Sequence, residues 1–260
     1  VLSDNASADG TAALCAERAA RDGRFRLNRN AENIGQIENF NLVLELAHGR
    51  YFRWIGADDW LEPDYARLTV ELLERRPEAV GATTLQDHFR DEGGRHFLVH
   101  RGERLDAADP VARFRRFLWF MTQDYGLIDP IYSLLRRDAL LRTRRLQVIP
   151  RTDQVLAAEL CLLGPFAHLD RCLSHRRREA FEKSRPEEIC RRYHPERHRE
   201  LGDSLPRAML LFWGAVRCSG LAAGARARCL WPIVRFGAAT LGRRLERRLE
   251  VKVLGRWLDL

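Results

Sequence analysis

Between Val1 and Leu85 the chain alternates between short branched or aromatic runs and longer amphipathic stretches, and no other feature narrows its fold as far. Val1-Leu2 reads as the end of a strand that opens into the polar loop Ser3 to Thr11. Residues 11–22 then place Ala12, Leu14, Cys15, Ala19 and Ala20 at helical spacing, and Phe25-Arg26-Leu27 reads as a short strand. A helix is predicted from about Ile37 to His48, with Phe40, Val43, Leu44 and Ala47 on one face and Gly49 as its stop. Tyr51 to Ile55 has strand composition and ends in Gly56-Ala57-Asp58-Asp59. Pro63 opens a helix that turns Tyr65, Leu68, Leu72 and Leu73 inward, Pro77 closes it, and Ala79 to Leu85 is a further strand. This order predicts an α/β fold, a mostly parallel sheet flanked by helices on both faces. Ligands of such sheets bind beyond the carboxyl ends of the strands. Asp4 and the Asp58-Asp59 pair both fall at such ends.

After residue 86 the pattern changes. Asp87 to His100 reads as a hairpin around Gly93-Gly94, and Val111 to Met121 as an amphipathic helix. Tyr125 to Ile128 is an extended piece, followed by helices near 137–143 and from Asp153 to Leu163. Two short strands are expected near 166–169 and 172–177. From Pro186 onward everything reads as helix, broken near 202–205 and 219–224. The expected organisation is an α/β domain over 1–185 and a helical, basic extension over 186–260.

Charge separates these parts. From Leu205 to Leu260 there are eleven Lys and Arg against three Asp and Glu, so the tail alone holds the whole chain's net charge of +8. The balanced remainder argues against nucleic acid as a partner, because such domains carry a basic face. The tail combines Leu210, Leu211, Phe212, Trp213, Leu230, Trp231, Ile233, Val234 and Phe236 with Arg, which fits helices lying on anionic lipid. The alternative is that these helices pack on the main domain and expose their arginines. No apolar run reaches the ~18–20 residues that span a bilayer. Six cysteines lack CxxC or zinc-finger spacing, as buried thiols of a reducing compartment would. A cytoplasmic protein is expected, its basic tail a candidate for the inner face of the cytoplasmic membrane.

Adjacent carboxylates at a strand end repel each other unless a cation or donors compensate. Mg²⁺ and Mn²⁺ prefer carboxylate and phosphate oxygens together, so Asp58-Asp59 fits a metal that bridges to a diphosphate. Taken alone, the pair fits a cap for the helix opened by Pro63 better than a metal site.

The stretch Ser3-Asp4-Asn5-Ala6-Ser7-Ala8-Asp9-Gly10-Thr11 resembles the S-D-N-[AS]-[ST]-D-G-T loop of family 2 glycosyltransferases, which have the GT-A fold. Asn33-Ile34-Gly35, Asn39-Phe40-Asn41 and Ala47 to Phe52 resemble the blocks that follow it. Gly56 to Asp64 resembles the family's acidic metal-binding motif and the proline-led helix after it. The ordered set covers residues 1 to about 85. The resemblance implies that Asp4 and Asn5, with Asn33, belong to the nucleotide-sugar site, Asp4 reading the base. It implies that Asp58 holds ribose or metal, and that Asp59 ligates the metal. Asn33 and Asn41 also fit a purely supporting role in their loops. Thr152 to Leu160 resembles the block whose Asp is the catalytic base, so Asp153 would deprotonate an acceptor hydroxyl in an inverting transfer. The alternative for Asp153 is a helix N-cap.

The implied function is transfer of a sugar from a nucleoside-diphosphate sugar to a hydroxyl of a saccharide or lipid-linked acceptor, with Mg²⁺ or Mn²⁺, in bacterial polysaccharide or glycolipid assembly. The chain departs from the family pattern in four places, one being Phe40, where the family often places Arg just before the residue matching Asn41. Gly56 stands where many members carry a first Asp. His175 lies near a histidine that can approach the metal, but out of register, and reads better as a surface strand residue. The Pro-x-[YF]-Asn turn of the family's first strand and helix does not precede Val1, so an exposed sheet edge and a half-built pocket are expected. These departures suit the rival reading, a non-catalytic nucleotide-sugar-binding protein or an inactive fragment. A phosphatase is disfavoured because Ser7 stands where its first Asp would be, and a dinucleotide oxidoreductase because no G-x-G-x-x-G follows a strand.

Overall fold

A computed structural model describes residues 1–89, 95–97, 104–122, 130–177 and 186–258. Its elements run in the order β1 (Leu2–Asp4), α1 (Thr11–Arg21), β2 (Leu27–Arg29), α2 (Gln36–Leu46), β3 (Tyr51–Phe52), β4 (Trp60–Leu61), α3 (Tyr65–Arg75), β5 (Gly81–Phe89) and β6 (Arg95–Phe97). There follow α4 (Pro110–Thr122), β7 (Leu134–Arg136), α5 (Arg137–Leu141), α6 (Thr152–Leu163), β8 (Phe166–Arg177), α7 (Pro186–Tyr193), α8 (Leu205–Cys218), α9 (Ala223–Arg228) and α10 (Leu230–Leu258). Short 3-10 turns occupy Pro130–Tyr132 and His198–Leu201.

The α/β alternation is present, and the longest ladder is parallel. β5 and β8 pair in parallel over nine positions and form the spine of the main sheet, whose order is β3-β7-β5-β8-β4 with β6 beside β5. Shorter antiparallel ladders join β7, β4, β3 and β6 to it, so the sheet is mixed at its margins. β1 and β2 form a separate parallel pair.

Strand β5 of the spine is buried on both faces, as parallel strands are when helices cover both sides. Successive residues point to opposite faces. Leu134 and Ala167 therefore join Tyr65 and Leu73 of α3, while Leu135 and Phe166 join the larger cluster containing Phe114, Phe117, Leu156 and Leu160 of α4 and α6. At Gly81 the strands pack too closely for a side chain, since a Cβ there would lie 2.7 Å from Leu135 Cδ2 and 2.9 Å from Phe166 Cε1.

Three expectations change. The two strands foreseen near 166–169 and 172–177 are one strand, β8, which absorbs Asp170 and Arg171 as an irregularity opposite Thr84 and Leu85. The strand expected over Tyr51–Ile55 is cut to Tyr51–Phe52, and Trp54 turns into the core with its Nε1 donating to the Phe40 carbonyl at 3.0 Å. The hairpin is formed by β5 and β6, but its Gly93-Gly94 turn lies outside the described residues, as does the piece Tyr125 to Ile128.

The buried cluster runs through the position where the helical extension was expected to begin. Leu201, Phe212, Val216, Ile233 and Phe236 belong to the same cluster as Phe114 and Phe117. The Phe212 ring sits edge-on between Phe117 at 6.2 Å and Phe236 at 5.2 Å. Part of the apolar surface that the sequence offered to lipid is therefore spent on packing. All six cysteines are free, but only Cys161 and Cys229 are buried, and Cys218 is exposed. No helix among the described residues is long and apolar enough to cross a membrane.

Candidate active site

β3 delivers the chain into the loop Arg53–Asp59, and the loop is fixed from behind by Arg53. Its guanidinium donates to Ser174 Oγ at 2.7 Å, to Tyr65 Oη at 2.5 Å and to the Tyr132 carbonyl. Burial lowers the pKa of Arg53, and Tyr65 and Asp59 work against that shift. At the end of the loop Asp58 is exposed, whereas the Asp59 side chain is only 9% exposed. Asp59 Oδ1 accepts from the Arg177 backbone N–H at 3.2 Å, and Oδ2 lies 3.7 Å from Arg176 Nε. Burial raises the Asp59 pKa; Arg176 draws it down and Asp58 raises it again. Neither carboxylate caps α3, whose N-cap position is Asp64.

Gly56 explains how the two carboxylates meet. A Cβ at this position would lie 2.8 Å from Asp58 Oδ1 and 3.1 Å from Asp59 Oδ2. The absent side chain is the space on which both oxygens converge. A hard divalent cation suits this pair, because Mg²⁺ is commonly held by one or two carboxylates with substrate phosphates and water supplying the rest. Among the described residues no group of three or more His, Cys, Asp or Glu forms a complete protein cage.

His175 is a buried residue and not the surface strand residue expected. It sits on β8 opposite Trp60 and stacks on that ring at 4.8 Å. Its Nε2 lies 2.8 Å from Glu62 Oε1 and its Nδ1 3.4 Å from Asp87 Oδ2. It ties the segment just after the acidic pair to β5.

Asp153 lies in the first turn of α6, where backbone N–H groups favour an anion. It is not the N-cap; that position is Arg151, in the left-handed conformation with φ of 57°. Asp153 lines a cavity of about 590 Å³ with Phe40, Tyr132, Ile149, Arg176 and Arg177. The Arg176 guanidinium stacks on the Tyr132 ring at 3.7 Å. The structure thus brings Asp153 onto one cavity with the two residues that contact Asp59. Arg176 and Arg177 escaped the sequence reading because they stand in the run Arg176-Arg177-Arg178, where nothing distinguishes a site residue from a solvated strand end.

The third group of expected site residues lies on the β1–β2 pair. Asp4 ends β1 and is 4% exposed. Its Oδ1 accepts from the Ser7 N–H at 3.2 Å, and its buried Oδ2, 3.5 Å from Arg29 Nε, has no hydrogen-bond partner. Asn5 is half-buried. Its amide donates to Asn33 Oδ1 at 2.8 Å and its Oδ1 accepts from Asn30 and the Ile34 N–H, so Asn5 and Asn33 brace two loops against each other. Asn41 likewise braces the Leu146 backbone. Gly35 closes this region with φ of 85°, and a Cβ there would lie 2.7 Å from the Tyr193 carbonyl oxygen. The loop thereby abuts the end of α7.

The curled sheet and its flanking helices have the GT-A glycosyltransferase fold. Residues 1–140 match the profile of glycosyl transferase family 2, and the chain belongs to that family. The putative glycosyltransferase EpsH of Bacillus subtilis is 32% identical over 66 residues, which are 25% of this chain and 19% of that protein. Chondroitin synthase of Escherichia coli is 23% identical over 184 residues, 67% of this chain and 24% of that protein. The chain thus spans less than a quarter of these relatives. Among solved structures, Staphylococcus aureus TarS 1-349 in complex with UDP-GlcNAc superposes with a TM-score of 0.59 at 12% identity, covering 96% of this chain and 67% of that one. The mannosyltransferase PcManGT of Pyrobaculum calidifontis, in complex with GDP-Man and Mn²⁺, gives 0.51 at 14% identity, covering 99% and 70%.

Proposed function

We propose that the protein transfers a sugar from a nucleoside-diphosphate sugar to an acceptor hydroxyl, with inversion at the anomeric carbon and with Mg²⁺ or Mn²⁺. The carrying observation is the single cavity that joins Asp153 to the arginines touching Asp59. Family membership supports the reaction class, and the two structural neighbours were solved with UDP-GlcNAc and with GDP-Man and Mn²⁺.

In this reading the donor diphosphate lies between the acidic pair and Arg176. A divalent ion held by Asp58 and Asp59 would neutralise the charge that develops on the departing nucleoside diphosphate. Arg176, braced on Tyr132, adds a fixed positive group on the cavity side. Asp153 accepts the proton of the acceptor hydroxyl at a carboxylate oxygen. The acceptor oxygen bonds to the anomeric carbon as the bond from that carbon to the diphosphate oxygen breaks. Phe40, Tyr132 and Ile149 line the same cavity and limit the access of water. Asp4, with one carboxylate oxygen lacking a hydrogen-bond partner, is the group suited to accept from a base N–H. Asn5 and Asn33 contribute by shaping the loop. An acceptor in bacterial polysaccharide or glycolipid assembly, at the inner face of the cytoplasmic membrane, completes the reading.

Calorimetry with UDP- and GDP-sugars and Mn²⁺ tests it. Asp59→Ala is expected to abolish metal-dependent donor binding. Asp153→Asn is expected to retain donor binding and to lose turnover by about 10²–10⁴-fold, the range for a positioned base. Donor binding without turnover by the parent protein, across acceptors, would favour the non-catalytic reading.

A further inference from the structure

Helix α10 carries two apolar faces where packing uses one. At 3.6 residues per turn, Pro232, Ile233 and Phe236 share one side and are buried. Leu230, Val234, Leu241 and Leu245 fall on the other, at exposures of 47%, 49%, 52% and 51%, with Trp231 at its border at 65%. A monomer burying only one stripe of a helix normally covers the rest with polar residues, so an exposed second stripe marks a contact surface.

Charge selects the occupant. Arg235 is exposed beside Trp231, at the border of this face. Arg217 and Arg226, on the neighbouring helices α8 and α9, add to the same basic end of the chain, and among the described residues none of these three arginines has an ion-pair partner. Residues 205–260 carry a net +8. A second copy would bring the same positive charge against this face, whereas an anionic bilayer would neutralise it. An interfacial helix combines an apolar stripe, an aromatic residue at its border and flanking arginines. We propose that the outer face of α10, formed by Leu230, Trp231, Val234, Leu241 and Leu245 and bordered by Arg235, docks on an anionic lipid surface. The helix lies in the plane of the headgroups and does not insert across the membrane. This goes beyond the proposed transfer reaction and uses none of its residues.

Vesicle co-sedimentation of the full chain tests the proposal. Binding is expected to phosphatidylcholine vesicles containing phosphatidylglycerol, with at least tenfold weaker binding to phosphatidylcholine alone and release in high salt. Val234→Ser with Leu241→Ser, both on the exposed face, is expected to weaken binding at least tenfold without changing the melting temperature. Arg235→Gln is expected to weaken it roughly fivefold, the contribution of one arginine near the surface. Equal affinity for neutral and anionic vesicles would overturn the proposal, as would unchanged binding by the folded Ser variant. A lipid-free dimer in sedimentation velocity that the Ser variant abolishes would assign the face to a second copy and overturn it too. Because the readout is lipid binding, its failure would leave donor binding and turnover untouched.

Discussion

Burial raises the pKa of Asp59, with Arg176 opposing and Asp58 reinforcing the shift. A carboxyl whose folded pKa is raised favours the folded state most below its unfolded value of about 3.8, and that contribution is lost as pH rises through the folded value. At neutral pH the charge therefore works against folding. Asp59→Asn is expected to melt at or above the parent temperature at pH 7 while losing metal-dependent donor binding; scanning calorimetry beside titration calorimetry checks both. A lower melting temperature would mean that Asp59 acts mainly as a loop anchor through Arg177. Gly56 offers the complementary test. In Gly56→Ala the new methyl meets Asp58 Oδ1, the free end of an exposed side chain that can swing away, and Asp59 Oδ2 at 3.1 Å, which must give by a few tenths of an ångström. Stability is expected to change by less than about 0.5 kcal/mol. Mn²⁺-dependent donor binding is expected to weaken about tenfold, ~1.4 kcal/mol, because the carboxylates no longer converge.

At the scale of elements, the helices of the first 85 residues were legible because their periodicity and stops are local: α1, α2 and α3 fall within two residues of their expected spans. Their neighbours in the sheet were not. Nothing in Phe166 to Arg177 announces that one strand bulges at Asp170 and then places His175, Arg176 and Arg177 beside the acidic loop. That register depends on pairing with β5, far away in sequence. The acidic pair and Asp153 were legible from motif blocks, whereas Arg53 and Arg176 were not, since arginine is abundant throughout this chain and only packing distinguishes these two. The β5–β8–β7 contact is tight enough to test. Gly81→Ala would drive a Cβ to 2.7 Å from Leu135 and 2.9 Å from Phe166. Overpacking of this kind costs about 1–3 kcal/mol, read as a shifted urea midpoint with an unchanged slope.

At the scale of the whole molecule, the packing of α8 and α10 decides how far the parts act as one. Phe212 is fully buried, edge-on to Phe117 of α4 and to Phe236 of α10, so it joins residues expected to lie in separate regions. Gly237 lets the helices approach, because a Cβ there would lie 2.7 Å from Met209 Sδ. Gly35 and the Tyr193 carbonyl make a second junction, between the loop braced by Asn5 and the end of α7. If residues beyond 186 merely decorated the sheet, truncating Phe212 would melt the helical end first and leave the rest unchanged. A shared core predicts otherwise. Phe212→Ala is expected to destabilise by about 3–5 kcal/mol, the cost of a large cavity in a packed interior. Tertiary signal from the tryptophans of both regions, such as Trp54 near the acidic loop and Trp213 on α8, is expected to be lost in one coincident transition. Near-ultraviolet circular dichroism and far-ultraviolet melting of the variant check this. Two separated transitions, with donor binding surviving the first, would show that the sheet and its site stand without the helical end.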